Sequence, residues 1–238
     1  RKFDPTGKAI LVEAWAHPEK PKGVIVAHGG PLNGYALYMK AGKPVFAVRA
    51  DETLTEVSGK EPLVKKWSHL VGVLTADKKV ELYINGFRVA SKKTDALIPK
   101  APAQSIEIGA DEGSAVAGYV SPNTFTGVID EVKILHGEFT SADLEQVFAK
   151  PQETQPLKAR AVLVCSFDDG KAKDASGLAH HGRIVGAKPV AGKKKTGLHF
   201  AAGKGGGGGG KPQSPSFVEP NWTKDIPLLV RAMIKTGD

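Results

Sequence analysis

Short runs of alternating apolar and polar residues, each cut off by Gly, Pro, Asn or Asp, fill the first 135 positions of the chain. That rhythm belongs to strands that bury one face and are joined by tight turns. Strands are expected at 9–16, 23–27, 35–40, 44–49, 67–74, 80–84, 87–90, 105–108 and 124–135, with a loop at 28–34. Val80, Leu82 and Ile84 share a face of their strand. Asn85-Gly86 is the clearest turn, because both central residues of a type I′ hairpin need positive φ and this pair tolerates it best. In the run from Thr124, Val128, Asp130, Val132 and Ile134 fall on one face, with Ile129, Glu131 and Lys133 on the other. One helix is expected near 141–149. Thr140 with Asp143 resembles a capping box, Leu144, Val147 and Phe148 form an apolar stripe, and Pro151 stops it.

The periodicity predicts an all-β protein. Residues 9–150 form its main body, 151–159 read as a linker, and strand patterns resume over 160–203. From residue 204 to 238 the chain reads as a Gly-rich linker and tail, in which Trp222 and the apolar stretch 226–234 offer a docking segment. Because the chain starts at Arg1, it is expected to be a piece of a longer protein.

Charge changes this picture little. The net +8 comes from lysines scattered over turns and strand ends, not clustered with stacking aromatics, so nucleic acid is not the expected partner. No run of about 18 apolar residues is present, so no membrane insertion is expected. The single Cys165 lies in an apolar run and reads as a small buried hydrophobe. Gly205–Lys211 fits a phosphate-loop spacing, but Pro212 stands where a Ser or Thr would ligate magnesium. His180-His181 reads as a poor metal pair, and Asn221-Trp222-Thr223 is a glycosylation sequon by pattern.

Three stretches together resemble the laminin-G-like family of concanavalin A-like jelly rolls: Val12-Glu-Ala-Trp-Ala-His-Pro18; Trp67-Ser-His-Leu-Val-Gly-Val73 with Val80-Glu-Leu-Tyr-Ile-Asn-Gly86; and Phe125-Thr-Gly-Val-Ile-Asp-Glu-Val-Lys-Ile134. Cys165-Ser-Phe-Asp-Asp-Gly170, Asp174-Ala-Ser-Gly177, His181-Gly182 and Gly197-Leu-His-Phe200 are similar to the family's opening strands, which normally come first. The resemblance implies a two-sheet antiparallel jelly-roll sandwich. Residues 160–203 either complete it as a circular permutant or open a second, truncated domain. The first is preferred, since some forty residues cannot bury a core alone.

Such folds host binders and enzymes alike. Retaining glycoside hydrolysis needs two carboxylates about 5 Å apart. The nearest candidate, Glu107–Glu112, runs into a loop, and Asp130 and Glu131, as strand neighbours, face opposite ways. The resemblance therefore implies a non-catalytic carbohydrate-binding or adhesion module of a larger surface or envelope protein, located outside the cell or in its envelope. Its partner would be a polysaccharide, a cell-surface glycan or another protein. A structural protein-interaction module without sugar affinity is the alternative; a laminarinase-like hydrolase is the third reading. For sugar binding, the rim candidates are Asn33 and Tyr35 from one loop and Asp111, Tyr119 and Asn123 from another, while Trp15 and Trp67 read as core. Some family members hold structural calcium through loop oxygens. The matching residues are Asp168, Asp169 and Asp174, with Asp130 nearby if the permutation holds; the same aspartates would otherwise serve to form turns.

Overall fold

The computed structural model describes residues 3–149, 157–201 and 228–230, and two sheets packed face to face make up most of it. One sheet runs, edge to edge, through β13 (Lys188–Ala191), β14 (Thr196–Phe200), β10 (Gly127–Gly137), β1 (Ala9–Pro18), β6 (Ser68–Leu74), β7 (Lys79–Ile84) and β8 (Phe87–Lys93). Strand β11 (Ala159–Cys165) also pairs with β10. The other sheet runs through β12 (Arg183–Ile184), β15 (Leu228–Val230), β9 (Ile106–Ile108), β2 (Gly23–Gly29), β3 (Gly34–Lys40), β4 (Lys43–Ala50) and β5 (Thr53–Ser58). Pairing is antiparallel except around β15, which is parallel to both of its neighbours. Residues 151–156 of the linker expected at 151–159, the polyglycine run, the sequon at Asn221 and the rest of the tail lie outside the described residues, while Ala159 already belongs to β11.

Alternation decides what the sheets bury. Ile10, Val12, Ala14 and Ala16 of β1 face Tyr35, Leu37 and Met39 of β3 and Phe46 and Val48 of β4 in one core. Each large side chain taken from water contributes about 1.5–3 kcal/mol. Gly72 lets the sheets approach here, since a Cβ would stand 2.1 Å from the Phe46 ring. The Asn85-Gly86 turn has both residues at positive φ, 51° and 85°, as a type I′ hairpin requires. Strand β5 was not expected; its lone apolar positions, Leu54 and Val57, are too few to show as a period.

The alternation expected for β10 is broken in the middle. Between Glu13 and Trp15 the β1–β10 register shifts, and Glu131 takes φ 54°, which makes a bulge. The extra residue resets the phase, so Ile129 joins Val132 and Ile134 in the core, while Val128 only packs against it from a half-buried position. The expected grouping of Val128 with Val132 therefore fails at Glu131.

Residues 159–200 are joined to this body by backbone pairing. Strand β11 pairs with Val132–Gly137, and β14 pairs with Gly127–Ile129. Val162, Leu163, Cys165, Phe167, Leu198 and Phe200 enter the same core. Phe200 meets Phe125 edge-on at 5.8 Å, and its ring fills the space beside Gly109 where a Cβ would lie.

Each outer face is partly covered by the chain itself. Helix α1 (Ser141–Ala149) lays Leu144, with Phe139 before it, over Leu11, Val71, Val73 and Tyr83. Its capping box forms: Thr140 N donates to Asp143 Oδ2 at 2.7 Å, and Asp143 N donates to Thr140 Oγ1 at 3.3 Å. The buried Glu81 carboxylate anchors the helix start, accepting from Ser141 Oγ, Tyr83 Oη, Ser91 Oγ and Arg88. On the other sheet, Val116 and Ala117 from the β9–β10 loop cover Ala27, Ala36, Tyr38, Val45 and Ala47.

Two predictions follow from this packing. Phe200→Ala is expected to cost about 3–5 kcal/mol by chemical denaturation, and a chain ending at residue 149 is expected to lose cooperative melting. A loss near zero in the variant would show that β14 lies outside the cooperative core. The second concerns His28 and His136. Burial, helped by the charge of His136 on His28 and of Lys8 on His136, lowers His28 to about 3 and His136 to about 4, against 6.5 when free. Between those values the unfolded chain binds more protons, so stability falls as pH drops below about 6.5. At pH 5 each histidine is expected to have cost about 2 kcal/mol; His28→Phe should flatten the fall in melting temperature from pH 7 to pH 5.

Candidate functional site

The part of β1 beyond the reach of α1 carries a different outer face. Glu13, Trp15 and His17 alternate with the buried Ala14 and Ala16, and all three are half-exposed. Register places Trp15 beside His69 of β6. The Trp15 and His69 rings lie 5.2 Å apart at 36°, and the His17 and Trp67 rings 5.5 Å apart at 47°. Four flat rings thus tile one patch. Trp15 and Trp67, expected in the core, are on this face because the inward positions of their strands belong to smaller residues.

Charged groups frame the rings. Glu13 Oε1 lies 2.9 Å from His69 Nε2 and 3.4 Å from Lys133 Nζ. Burial pushes the Glu13 carboxyl up, but these two partners outweigh it and hold it below the usual carboxylate range. The β10 bulge brings in Asp130 and Glu131. Glu131 pairs with Lys133 at 3.5 Å and Lys194 at 2.8 Å, while Asp130 Oδ2 accepts from Lys194 N at 2.8 Å. Burial raises Asp130 to about 7 against those N–H bonds. The β13–β14 turn is fastened over this edge, with Lys193 Nζ 4.7 Å from the Trp15 ring centre.

The expected rim residues do not meet at one place. Tyr35 is fully buried in the core against His28 at 5.3 Å, and burial drives its hydroxyl pKa far up, so it presents nothing to a ligand. Its position starts the inward alternation of β3, which outweighs its loop-side location. Asn33 is nearly buried and ties two turns together, its Oδ1 accepting from Asp51 N at 3.1 Å. Asp111 is buried and accepts from Tyr119 Oη at 2.6 Å and Val116 N at 3.4 Å, which shapes the loop covering the second sheet. Asn123 is half-exposed, with its carbonyl accepting from Val24 N at 2.8 Å. Asp111, Tyr119 and Asn123 are thus neighbours in one loop, but as its internal ties.

The acidic residues matched to calcium are engaged with neighbouring groups of the protein. Asp174 gives Oδ1 to Val164 N and Ser176 N, and Oδ2 to Ser176 Oγ and His180 N. Burial raises its pKa, but these donors prevail and hold it low. Asp169 accepts from Lys171 N, Asp168 lies 3.7 Å from Lys195 Nζ, and Asp130 faces the Lys194 N–H. Among the described residues, no three His, Cys, Asp or Glu side chains converge as a metal site. Asp169 and Asp174 thereby hold turns. His180 Nδ1 lies 2.8 Å from the Val162 carbonyl and His181 Nδ1 accepts from Asp174 N, so that pair is structural too.

A sequence pattern could have found the aromatic face. Glu13 must face outward, and a period of two then carries Trp15 and His17 out with it. Among the described residues, no helix is long and apolar enough to cross a membrane.

Comparison with solved structures agrees with this architecture. A proposed carbohydrate-binding protein from Bacteroides ovatus superposes with a TM-score of 0.51 at 15% identity, over 82% of this chain and 52% of that one. Laminin α1 domains LG4-5 from mouse give 0.47 at 13% identity, over 56% of this chain and 37% of that one. A heptameric SAP-like pentraxin from Limulus polyphemus gives 0.44 at 14%, over 61% and 71%. This chain therefore spans about half of the Bacteroides protein and less of the laminin fragment, and at such identities the likeness is one of fold. No curated protein sequence matches the chain. The laminin G family profile of the concanavalin A-like lectin/glucanases superfamily matches residues 3–145, so the chain belongs to that family.

Proposed function

We propose that the chain is a non-catalytic carbohydrate-binding or adhesion module of a larger surface or envelope protein, with Trp15, His17, Trp67 and His69 as its platform. The observation that carries this reading is the pairing of the two indole rings with two imidazoles on an open sheet face, edged by fixed charges. Rings of this kind offer an apolar surface to the C–H faces of a sugar, while the polar rim meets its hydroxyls. The carboxylates beside the platform are committed to ion pairs, Glu13 to His69 and Lys133 and Glu131 to Lys133 and Lys194, which favours binding over hydrolysis. The Bacteroides protein of the same fold, itself a proposed carbohydrate binder, supports the same direction.

Affinity electrophoresis against a panel of plant, bacterial and animal polysaccharides tests it. Trp67→Ala and Trp15→Ala are expected to weaken retention on the bound glycan at least tenfold, about 1.4 kcal/mol, with Asn33→Ala unchanged. Equal retention by both tryptophan variants would move the site elsewhere. Retention on no glycan at all would favour a protein partner.

A further inference from the structure

Three turns meet where β1 runs out, and backbone hydrogen bonds tie them together. The Pro18 carbonyl accepts from Lys65 N at 2.6 Å, and the Pro21 carbonyl from Gly42 N at 2.7 Å. The Gly42 carbonyl in turn accepts from Leu63 N at 2.8 Å. Segments 18–23, 40–43 and 59–66, far apart in sequence, thus share one end of the sandwich.

Each turn brings lysines. Lys20 and Lys22 stand exposed on the first, and Lys40 with the half-exposed Lys43 on the second. Lys60, Lys65 and Lys66 are exposed on the third. Of these, only Lys40 has an ion pair among the described residues, with Glu56 at 3.8 Å. The turns themselves carry two carboxylates: Glu19 is engaged by His199 at 3.0 Å, and Glu61 is exposed. Lysines that look scattered along the chain are therefore gathered by the fold, in clear excess over the acids beside them. Like charges gathered at one end of a domain repel one another and set up a positive potential that an anion relieves.

This surface runs into the aromatic platform. His17 directly precedes Pro18, Lys66 directly precedes Trp67, and the His17 and Trp67 rings lie 5.5 Å apart. Three residues of chain reach at most about 11 Å, so Lys20 starts no further than that from His17, a gap that a short oligosaccharide spans.

We propose that this end of the sandwich binds the charged groups of an acidic polysaccharide, carboxylates or sulfates repeated along a chain whose sugar faces stack on Trp15 and Trp67. The inference rests on the platform reading and gives its glycan a chemical class. Each lysine is a point charge on a flexible stem. Spread over three turns, with no pocket to converge on, these lysines match charge that repeats along a polymer better than the shape of one small anion.

Binding of the full chain to immobilised polygalacturonate, dextran sulfate and uncharged dextran, at near-physiological salt, tests this. One or both acidic polymers are expected to bind about tenfold or more tighter than dextran and to weaken as salt rises. Preference between them assigns the group as carboxylate or sulfate. Replacing Lys20, Lys22 and Lys66 together by Gln is expected to lose about tenfold. The control replaces Lys78, Lys92 and Lys93 by Gln, which removes the same charge at the other end of β6 and β7, where Leu74 pairs with Ile10 and Lys93 with Lys79; binding should change little. All six lysines are exposed, so unchanged melting separates lost binding from lost folding. Equal losses in the two triple variants would reduce the effect to net charge and overturn the proposal, as would equal binding of dextran or binding of none of the three. Tighter binding to phosphatidylserine vesicles than to either polymer would also overturn it, in favour of a membrane surface. Loss in the Lys20, Lys22 and Lys66 variant with Trp67→Ala unchanged would uphold the basic surface and reject the platform. Loss in Trp67→Ala on a neutral glycan, with that triple variant unchanged on every polymer, would keep the platform and reject the basic surface.

Discussion

Backbone hydrogen bonding along β10 joins what the chain order keeps apart. One edge of this strand pairs with β1 over its full length, from Gly127 to Gly137; the other takes β14 at its start and β11 at its end. A central strand left with one open edge would expose a row of unpaired N–H and C=O groups, so residues 159–200 close a real gap. The core obeys the same constraint, since Phe200 reaches Phe125 and Gly109 only when β14 is in register.

The bulge at Glu131 links this architecture to the candidate site. Without it, strict alternation would place Ile129 and Val132 on opposite faces. With it, both enter the core, and Asp130 and Glu131 are turned together toward the β13–β14 turn. Lys194 answers both carboxylates, and Lys193 is thereby set over Trp15. A local change of strand phase thus positions the charged rim of the aromatic face.

Much of each outer face is sealed by the protein's own segments, α1 on one sheet and the Asp111–Tyr119 loop on the other. This explains why the rim residues named from sequence are structural. Polar side chains in that loop hold it down, because a loop lying on an apolar sheet must satisfy its own N–H and C=O groups. Among the described residues, the strip around Trp15 and Trp67 is overlaid only at its edge, by Lys193, and its rings and ion pairs are those of a surface that meets water.

Local sequence determined the strands with clear period-two patterns, the Asn85-Gly86 turn and the capped helix, since each depends on residues within a few positions of one another. The family was legible in Val12–Pro18, Trp67–Val73 and Phe125–Ile134, because those motifs are short and contiguous. Tertiary structure alone decided the rest. Thr53–Ser58 becomes a strand because β4 offers it an edge. The phase of β10 depends on a bulge that no period announces. Trp15 and Trp67 face outward because Ala14, Ala16 and Leu70 fill the space beneath them, and a residue's hydrophobicity does not say which side of a sheet its strand will bury. Asp169 and Asp174 spend their oxygens on N–H and hydroxyl groups that only the folded loop brings within reach, and Asp168 lies against Lys195.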